Sequence, residues 1–193
     1  MLGRECAADV VCAWVELHPV AYQFGRGRPQ ADGGFDFDGN WVVIDGHVRT
    51  AEGVESSFRV PCLLTDDVQE ISGWLKAVAD HRVPPTPLPA DESSLLAFTE
   101  PNIAFSVHAD AGHDIRLRVH LSLEAGPPTR GPDRLGPSEC FVELRLTPDD
   151  LDSAAIVWDA EIADYPRRWR ALSPSIRQTR RELRGTAARS GGS

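Results

Sequence analysis

The sequence lacks the features that mark membrane and secreted proteins. Its longest apolar runs fall far short of the roughly 18 residues that span a bilayer, and the N-terminus carries Glu5 and Asp9 without a basic n-region. No Cys-x-x-Cys pair occurs among the four cysteines, which predicts buried thiols in a reducing cytoplasm. A disulfide between Cys6 and Cys12 stays open as an alternative. We therefore expect a cytoplasmic protein with no membrane partner.

Basic residues are scarce outside the C-terminus. Eight of the 20 Lys and Arg are arginines within residues 167–193, where Glu182 is the only acid. The other 166 residues hold 12 basic and 28 acidic side chains, a net charge of about −16. Because phosphates would be repelled, this charge disfavours nucleic acid as a partner of the acidic body and suits a basic protein. Ordinary solubility charge is the alternative explanation.

Common catalytic and ligand-binding motifs are also missing. There is no Gly-x-Ser-x-Gly and no phosphate loop. His108, His113 and His120 lie close in sequence, but their spacing places no two of them as ligands on one face, so we expect surface histidines. An Asp-x-Asp-x-Asn run ending at Asn40 lacks the glycine and distal glutamate of a calcium loop. We therefore expect no catalysis, no metal and no cofactor.

Residues 114–125 carry the clearest strand pattern. Aliphatic residues alternate there with Arg116, Arg118, His120, Ser122 and Glu124. A period of two predicts a half-buried antiparallel strand whose polar face meets water or a partner. Residues 140–147 alternate in the same way, and pairing of the two strands would place Glu143 opposite Arg116 or Arg118.

Turn and capping residues divide the remaining chain. Thr65 and Thr147 are predicted N-caps of two helices, since acidic residues and apolar positions at helical spacing follow each. Pro19 and Pro61 are expected to interrupt strands. Gly46, inside a β-prone run, predicts a bulge or a close backbone approach.

Together these segments predict an α+β fold: a mostly antiparallel, twisted or partly closed β-sheet of about 7–8 strands with two packed α-helices. We expect a single domain over residues 1–166 and an arginine-rich, largely disordered tail over residues 167–193. Four large aromatic residues are expected in the core: Trp41, Trp74, Phe98 and Trp158.

Several short landmarks follow one another in a characteristic order. They are Asn40-Trp41-Val42-Val43 with Gly46, Pro61-Cys62-Leu63-Leu64-Thr65, Trp74-Leu75, Phe98-Thr99-Glu100-Pro101-Asn102, Leu121-Ser122-Leu123-Glu124 with Pro127-Pro128, and the strand and helix of residues 142–166. In order and spacing they resemble the WapI-type immunity protein family of bacteria, common in actinomycetes, over roughly residues 11–166. Thr129 departs from the pattern, where an aromatic residue would follow the two prolines.

The resemblance implies a non-catalytic immunity protein that neutralises a cognate toxin. In the namesake system the toxin is the C-terminal domain of a large cell-surface protein and cleaves tRNA, so a nuclease of a contact-dependent or polymorphic toxin system is the expected partner. An acidic body would attract such a basic domain. As contact residues we expect Asp32, Asp36, Asp38, Glu124 and Glu143, with ordinary solvated surface as the alternative.

Two other classes of function stay open. A small-molecule-binding or regulatory α+β domain without a toxin partner would be distinguished by a deep apolar pocket. A small hydrolase would require His120, or Glu100 and Glu124, to converge in a cleft with perturbed pKa values.

Overall fold

The computed structural model of the protein describes residues 12–25, 37–87, 94–126 and 140–168. The strands and helices in these ranges are β1 Trp14–Tyr22, β2 Trp41–Arg49, β3 Glu55–Leu64, α1 Thr65–Ala79, β4 Leu96–Ala97, β5 Ile103–Asp110, β6 Ile115–Leu121, β7 Phe141–Leu146 and α2 Pro148–Ile162. Single turns of 3₁₀ helix lie at Asp38–Asn40 and Leu123–Ala125. The predicted α+β class is confirmed. In the described ranges, both helices are too short and too polar to span a bilayer.

The strands form two open antiparallel sheets. One has the order β1-β2-β3, and the other has the order β4-β5-β6-β7. The sequence predicted one sheet, and the difference arises because a strand pattern shows which residues are extended but not which strands pair. Helix α1 follows β3 directly, so the chain leaves the first sheet before the second begins.

One continuous core joins both sheets to both helices. Helix α1 buries the predicted stripe that includes Val68, Ile71 and Leu75. The indole Nε1 of Trp158, on α2, donates a hydrogen bond of 2.7 Å to the carbonyl oxygen of Val68. The ring of Trp74 lies 5.8 Å from the ring of Phe105 on β5. The two helices are thus packed against each other, and α1 also contacts the second sheet through Trp74.

The prolines do not interrupt the strands, and that prediction was wrong. Strand β1 continues through Pro19 and strand β3 continues through Pro61. Both are edge strands, and each proline stands beside a register shift in the β1-β2 or β2-β3 pairing. Proline has no N–H to donate, so an edge position next to a bulge accommodates it without losing a ladder hydrogen bond.

The two predicted helix caps differ in outcome. Thr147 is the N-cap of α2, and its hydroxyl accepts a 3.2 Å hydrogen bond from the backbone N–H of Asp150. Thr65 is instead the first residue of α1, after Leu64 at the N-cap position. Its hydroxyl donates to Oδ1 of Asn40 at 2.8 Å. The Thr65 hydroxyl therefore makes a tertiary hydrogen bond instead of a local helix-capping bond.

Candidate partner-binding surface

The five predicted contact residues are only partly within the described ranges. Asp32 and Asp36 lie outside the described residues. Asp38 is exposed in the first 3₁₀ turn, and Glu124 is exposed in the second. Glu143 lies on β7 and is partly buried. The three described residues therefore belong to three separate elements.

The polar face of β6 is exposed at Arg116 but covered at Arg118 and His120, which corrects the prediction for this strand in part. Arg118 is 3% exposed and His120 is fully buried. The hydroxyl of Ser106 and Nε2 of His120 share a hydrogen bond of 2.8 Å, and the His120 ring lies 5.6 Å from the Phe141 ring. His120 is therefore not a surface histidine, whereas His113 is exposed as expected. Alternation separates the two faces of a strand, but it does not say what covers each face.

Glu143 is the centre of an ion-pair cluster. The predicted pairing is confirmed, since Glu143 is the register partner of Arg118. Its carboxylate lies 2.5 Å from Nδ1 of His108, 3.5 Å from Nη1 of Arg116 and 3.4 Å from Nε of Arg118. The Arg118 guanidinium also lies 4.8 Å from the centre of the Phe141 ring. Three basic groups within the chain thus already engage this carboxylate.

A cleft of about 410 Å³ lies between the first sheet and the turns that precede β5 and follow β6. Its lining residues are Gln23, Trp41, Val60, Pro61, Glu100, Asn102 and Glu124. Trp41 is partly exposed rather than fully in the core, while Phe98 and Trp158 are buried as predicted. The cleft brings Glu100 and Glu124 to one place, as the hydrolase alternative requires. His120 is not among its lining residues.

Hydrogen bonds to Asn102 fix one wall of this cleft. Its Oδ1 accepts a 3.0 Å bond from the backbone N–H of Glu124, and its carbonyl oxygen accepts a 3.0 Å bond from the N–H of Ser122. The Ser122 hydroxyl donates in turn to the carbonyl oxygen of Pro101. These contacts join the β4–β5 turn to the 3₁₀ turn after β6, so the positions of Glu100 and Glu124 are set together.

Asn40 and Arg168 form a second polar centre next to the cleft. Asn40 is fully buried and precedes the cleft residue Trp41. The Arg168 guanidinium donates to the carbonyl oxygens of Phe24 and Gly39, at 3.0 and 3.2 Å, and lies 3.2 Å from the centre of the Tyr22 ring. The local sequence pattern did not predict this centre, because its members are far apart in the chain.

An apolar cavity lies between β1 and the two helices. Its walls include Val15, Leu75, Phe105 and Trp158, and its volume is about 30 Å³. Pockets for small organic ligands are usually about 300 Å³ or larger. This cavity therefore does not support the small-molecule alternative.

The cysteines differ in state. Cys12 is disulfide-bonded, and Cys6, with which a pairing stayed open, lies outside the described residues. Cys62 and Cys140 are free. Burial, with a smaller effect of nearby carboxylates, raises the pKa of Cys62 to about 12, so its thiol stays protonated and unreactive at neutral pH. Within the described ranges, no group of three or more His, Cys, Asp or Glu side chains could hold a metal ion.

Two open antiparallel sheets, two paired helices and a cleft lined by two carboxylates define an α+β protein. The chain belongs to the WapI-like immunity protein family, whose match spans residues 11–166 of the 193. The resemblance seen in the sequence landmarks is thereby confirmed. A search of curated proteins finds no significant match.

Proposed function

We propose that this protein is a non-catalytic immunity protein that binds a cognate toxin domain in the cytoplasm and blocks its activity. The observation that carries the proposal is membership of an immunity protein family over residues 11–166. The net charge of −9, and of about −16 without residues 167–193, supports a basic toxin. Nuclease domains are commonly basic because they bind phosphate. A nuclease of a polymorphic or contact-dependent system, acting on tRNA, is thus the proposed target.

The proposed contact surface consists of Asp32, Asp36, Asp38, Glu124 and Glu143. Exposure of Asp38 and Glu124 supports their inclusion, since an exposed carboxylate can steer a basic partner and then pair with it. Glu143 has the weakest support, because three basic groups already surround it. Glu143 would contribute to toxin binding together with His108, Arg116 and Arg118 rather than as a separate carboxylate.

Co-expression tests the function. The chain would be produced in a neutral bacterial host together with the C-terminal domain encoded by the neighbouring large surface-protein gene. Growth, intact tRNA and recovery of a one-to-one complex would be measured, with the toxin domain alone as the reference and an unrelated nuclease toxin as the specificity control. Rescue from the cognate toxin only is expected. Continued killing without a complex, while both proteins are soluble, would overturn the proposal for that pair.

A further inference from the structure

The cleft combines groups of different chemistry. Glu100 and Glu124 contribute exposed carboxylates. Trp41 contributes a partly exposed indole ring, and Pro61 contributes apolar surface. Two carboxylates alone would be an ordinary solvated surface. An aromatic ring beside them is the arrangement that recognises an organic cation, because the ring face attracts positive charge.

Asn102 adds a hydrogen-bond donor to the cleft. The residue is 4% exposed and lines the cleft, and its Oδ1 is occupied by the backbone N–H of Glu124. Its Nδ2 has no acceptor within the part of the chain that the structure describes. Nδ2 is not among the fully buried side-chain atoms that lack a partner in the described ranges, so this donor reaches solvent. A ligand that brings a carbonyl oxygen next to its positive charge would satisfy this donor, and a peptide carries one at every residue.

We propose that the cleft receives an arginine side chain from a basic segment of the toxin. The guanidinium lies against Trp41 and pairs with Glu100 and Glu124. A main-chain carbonyl of the same segment accepts from Nδ2 of Asn102. This inference rests on the proposed function, and it adds Trp41, Glu100 and Asn102 to the contact surface.

Arginine suits the site better than lysine. Its planar guanidinium can stack on an aromatic ring while it forms two hydrogen bonds to a carboxylate. The protein uses the same chemistry internally, where Arg168 lies 3.2 Å from the centre of the Tyr22 ring. The cleft volume of about 410 Å³ is in the range of sites that enclose small organic groups.

The cleft is continuous with the surface around Asp38. Phe37 is 43% exposed, and its ring lies 5.7 Å from the Trp41 ring in an edge-to-face arrangement. Asp38 is the next residue and is also exposed. Protein interfaces are enriched in aromatic residues, which bury large areas at low entropic cost. A toxin segment that places its arginine in the cleft would therefore cover this aromatic pair.

Titration of the full chain with N-acetyl-arginine-N-methylamide tests the chemistry of the cleft without any toxin. NMR would follow the Trp41 indole N–H and the Asn102 side-chain amide, with the citrulline analogue as a neutral ligand of the same shape. Saturable shifts at both groups with arginine only are expected. The E100Q/E124Q variant should weaken this binding at least about tenfold, whereas E52Q/E70Q, with the same change in charge, should alter it less than about twofold. Equal shifts with arginine and citrulline would overturn the proposal.

The toxin complex separates this inference from the proposed function. E100Q/E124Q should raise the Kd for the toxin at least about tenfold relative to E52Q/E70Q. If a complex forms and both variants bind equally, the cleft assignment fails while the immunity function stands; if no complex forms, the proposed function fails.

The arginine-rich tail is the competing occupant. Arginine amide binding that strengthens about tenfold in the full-length R170Q/R177Q/R180Q variant would assign the cleft to the tail and overturn the toxin assignment.

Discussion

The side chain of Asn40 holds the backbone of Arg168 by two hydrogen bonds. Its Nδ2 donates to the Arg168 carbonyl oxygen at 2.8 Å, and its Oδ1 accepts from the Arg168 N–H at 2.7 Å. The same Oδ1 accepts from the hydroxyl of Thr65 at 2.8 Å. One buried amide therefore joins the start of β2, the start of α1 and the segment that follows α2.

Replacement of Asn40 by alanine should destabilise the fold by about 2–4 kcal/mol. Three hydrogen bonds are lost at about 1 kcal/mol each, and buried partners are left unsatisfied. Urea unfolding measures the change, and Gln23→Ala, at an exposed amide that lines the cleft, is the control that should change stability by less than about 0.5 kcal/mol. Equal stability of the two variants would contradict the central role assigned to Asn40.

Gly46→Ala should destabilise the first sheet, because the ring of Phe58 covers the glycine. A Cβ built at Gly46 would lie 2.1 Å from Cζ of Phe58, and Phe58 is its register partner in β3. We expect a loss of about 1–3 kcal/mol, the usual cost of overpacking. Gly73→Ala is the matched control. A Cβ at Gly73, which is exposed on α1, would meet no atom within 4 Å, so alanine there should stabilise the helix by about 0.5–1 kcal/mol.

A second variant decides whether the Phe58 ring is the cause. In Phe58→Leu the ring is absent, so Gly46→Ala should cost at least about 1 kcal/mol less in that background than in the wild type. Additive losses, measured by chemical unfolding of the four proteins, would show that the backbone at Gly46 rather than the ring limits the substitution.

Local patterns predicted the elements but not their tertiary partners. At Gly46 the β-prone run predicted a bulge or a close backbone approach, whereas the structure has no register shift there and the Phe58 side-chain ring covers the glycine. The capping sequence at Thr147 predicted the start of α2 correctly, because all of its partners lie within four residues. Contacts of this range are encoded in adjacent positions and can be deduced from one sequence.

The cleft and the buried polar face needed the tertiary structure. His120 and Arg118 alternate with aliphatic residues in the way that exposed residues do, yet both are buried. Glu100, Asn102 and Glu124 converge because the turn before β5 contacts the 3₁₀ turn after β6. The alternation of residues along the strands does not predict this contact. The candidate surface could thus be predicted only as a list of acidic residues, not as a shaped site.

Asp67→Asn should change how stability depends on pH. Burial raises the pKa of Asp67, with smaller effects of Glu70 and Asp66, against a hydrogen bond from the Leu64 N–H that lowers it. A folded-state pKa above the unfolded value means that the stability from this group is fully present below about pH 4 and is lost as pH rises through the folded value. Asparagine does not titrate and can still accept from Leu64.

The free energy of unfolding of Asp67→Asn, relative to wild type, should therefore increase from about pH 3 towards neutral pH and then level off. Urea unfolding across this range measures the difference. Asp66→Asn, with the same charge change in the same helical turn, is the control. A relative stability that falls with pH for Asp67→Asn would mean that the hydrogen bond from Leu64 outweighs burial.

Charge reversal of Asp32, Asp36 and Asp38 tests their place in the proposed contact surface. Asp32, Asp36 and Asp38 replaced together by lysine should slow association with the toxin about tenfold or more at low salt, with a smaller effect at high salt, because exposed charges act mainly on the association rate. Stopped-flow measurements over a salt series would give both the rate and its salt dependence.

The matched control reverses three exposed acids on other elements, Glu52, Glu70 and Asp152. Because both variants change the net charge by about +6, any general loss of attraction is common to them. If the two variants associate equally slowly, overall charge rather than these three residues steers the toxin, and Asp32, Asp36 and Asp38 leave the contact surface.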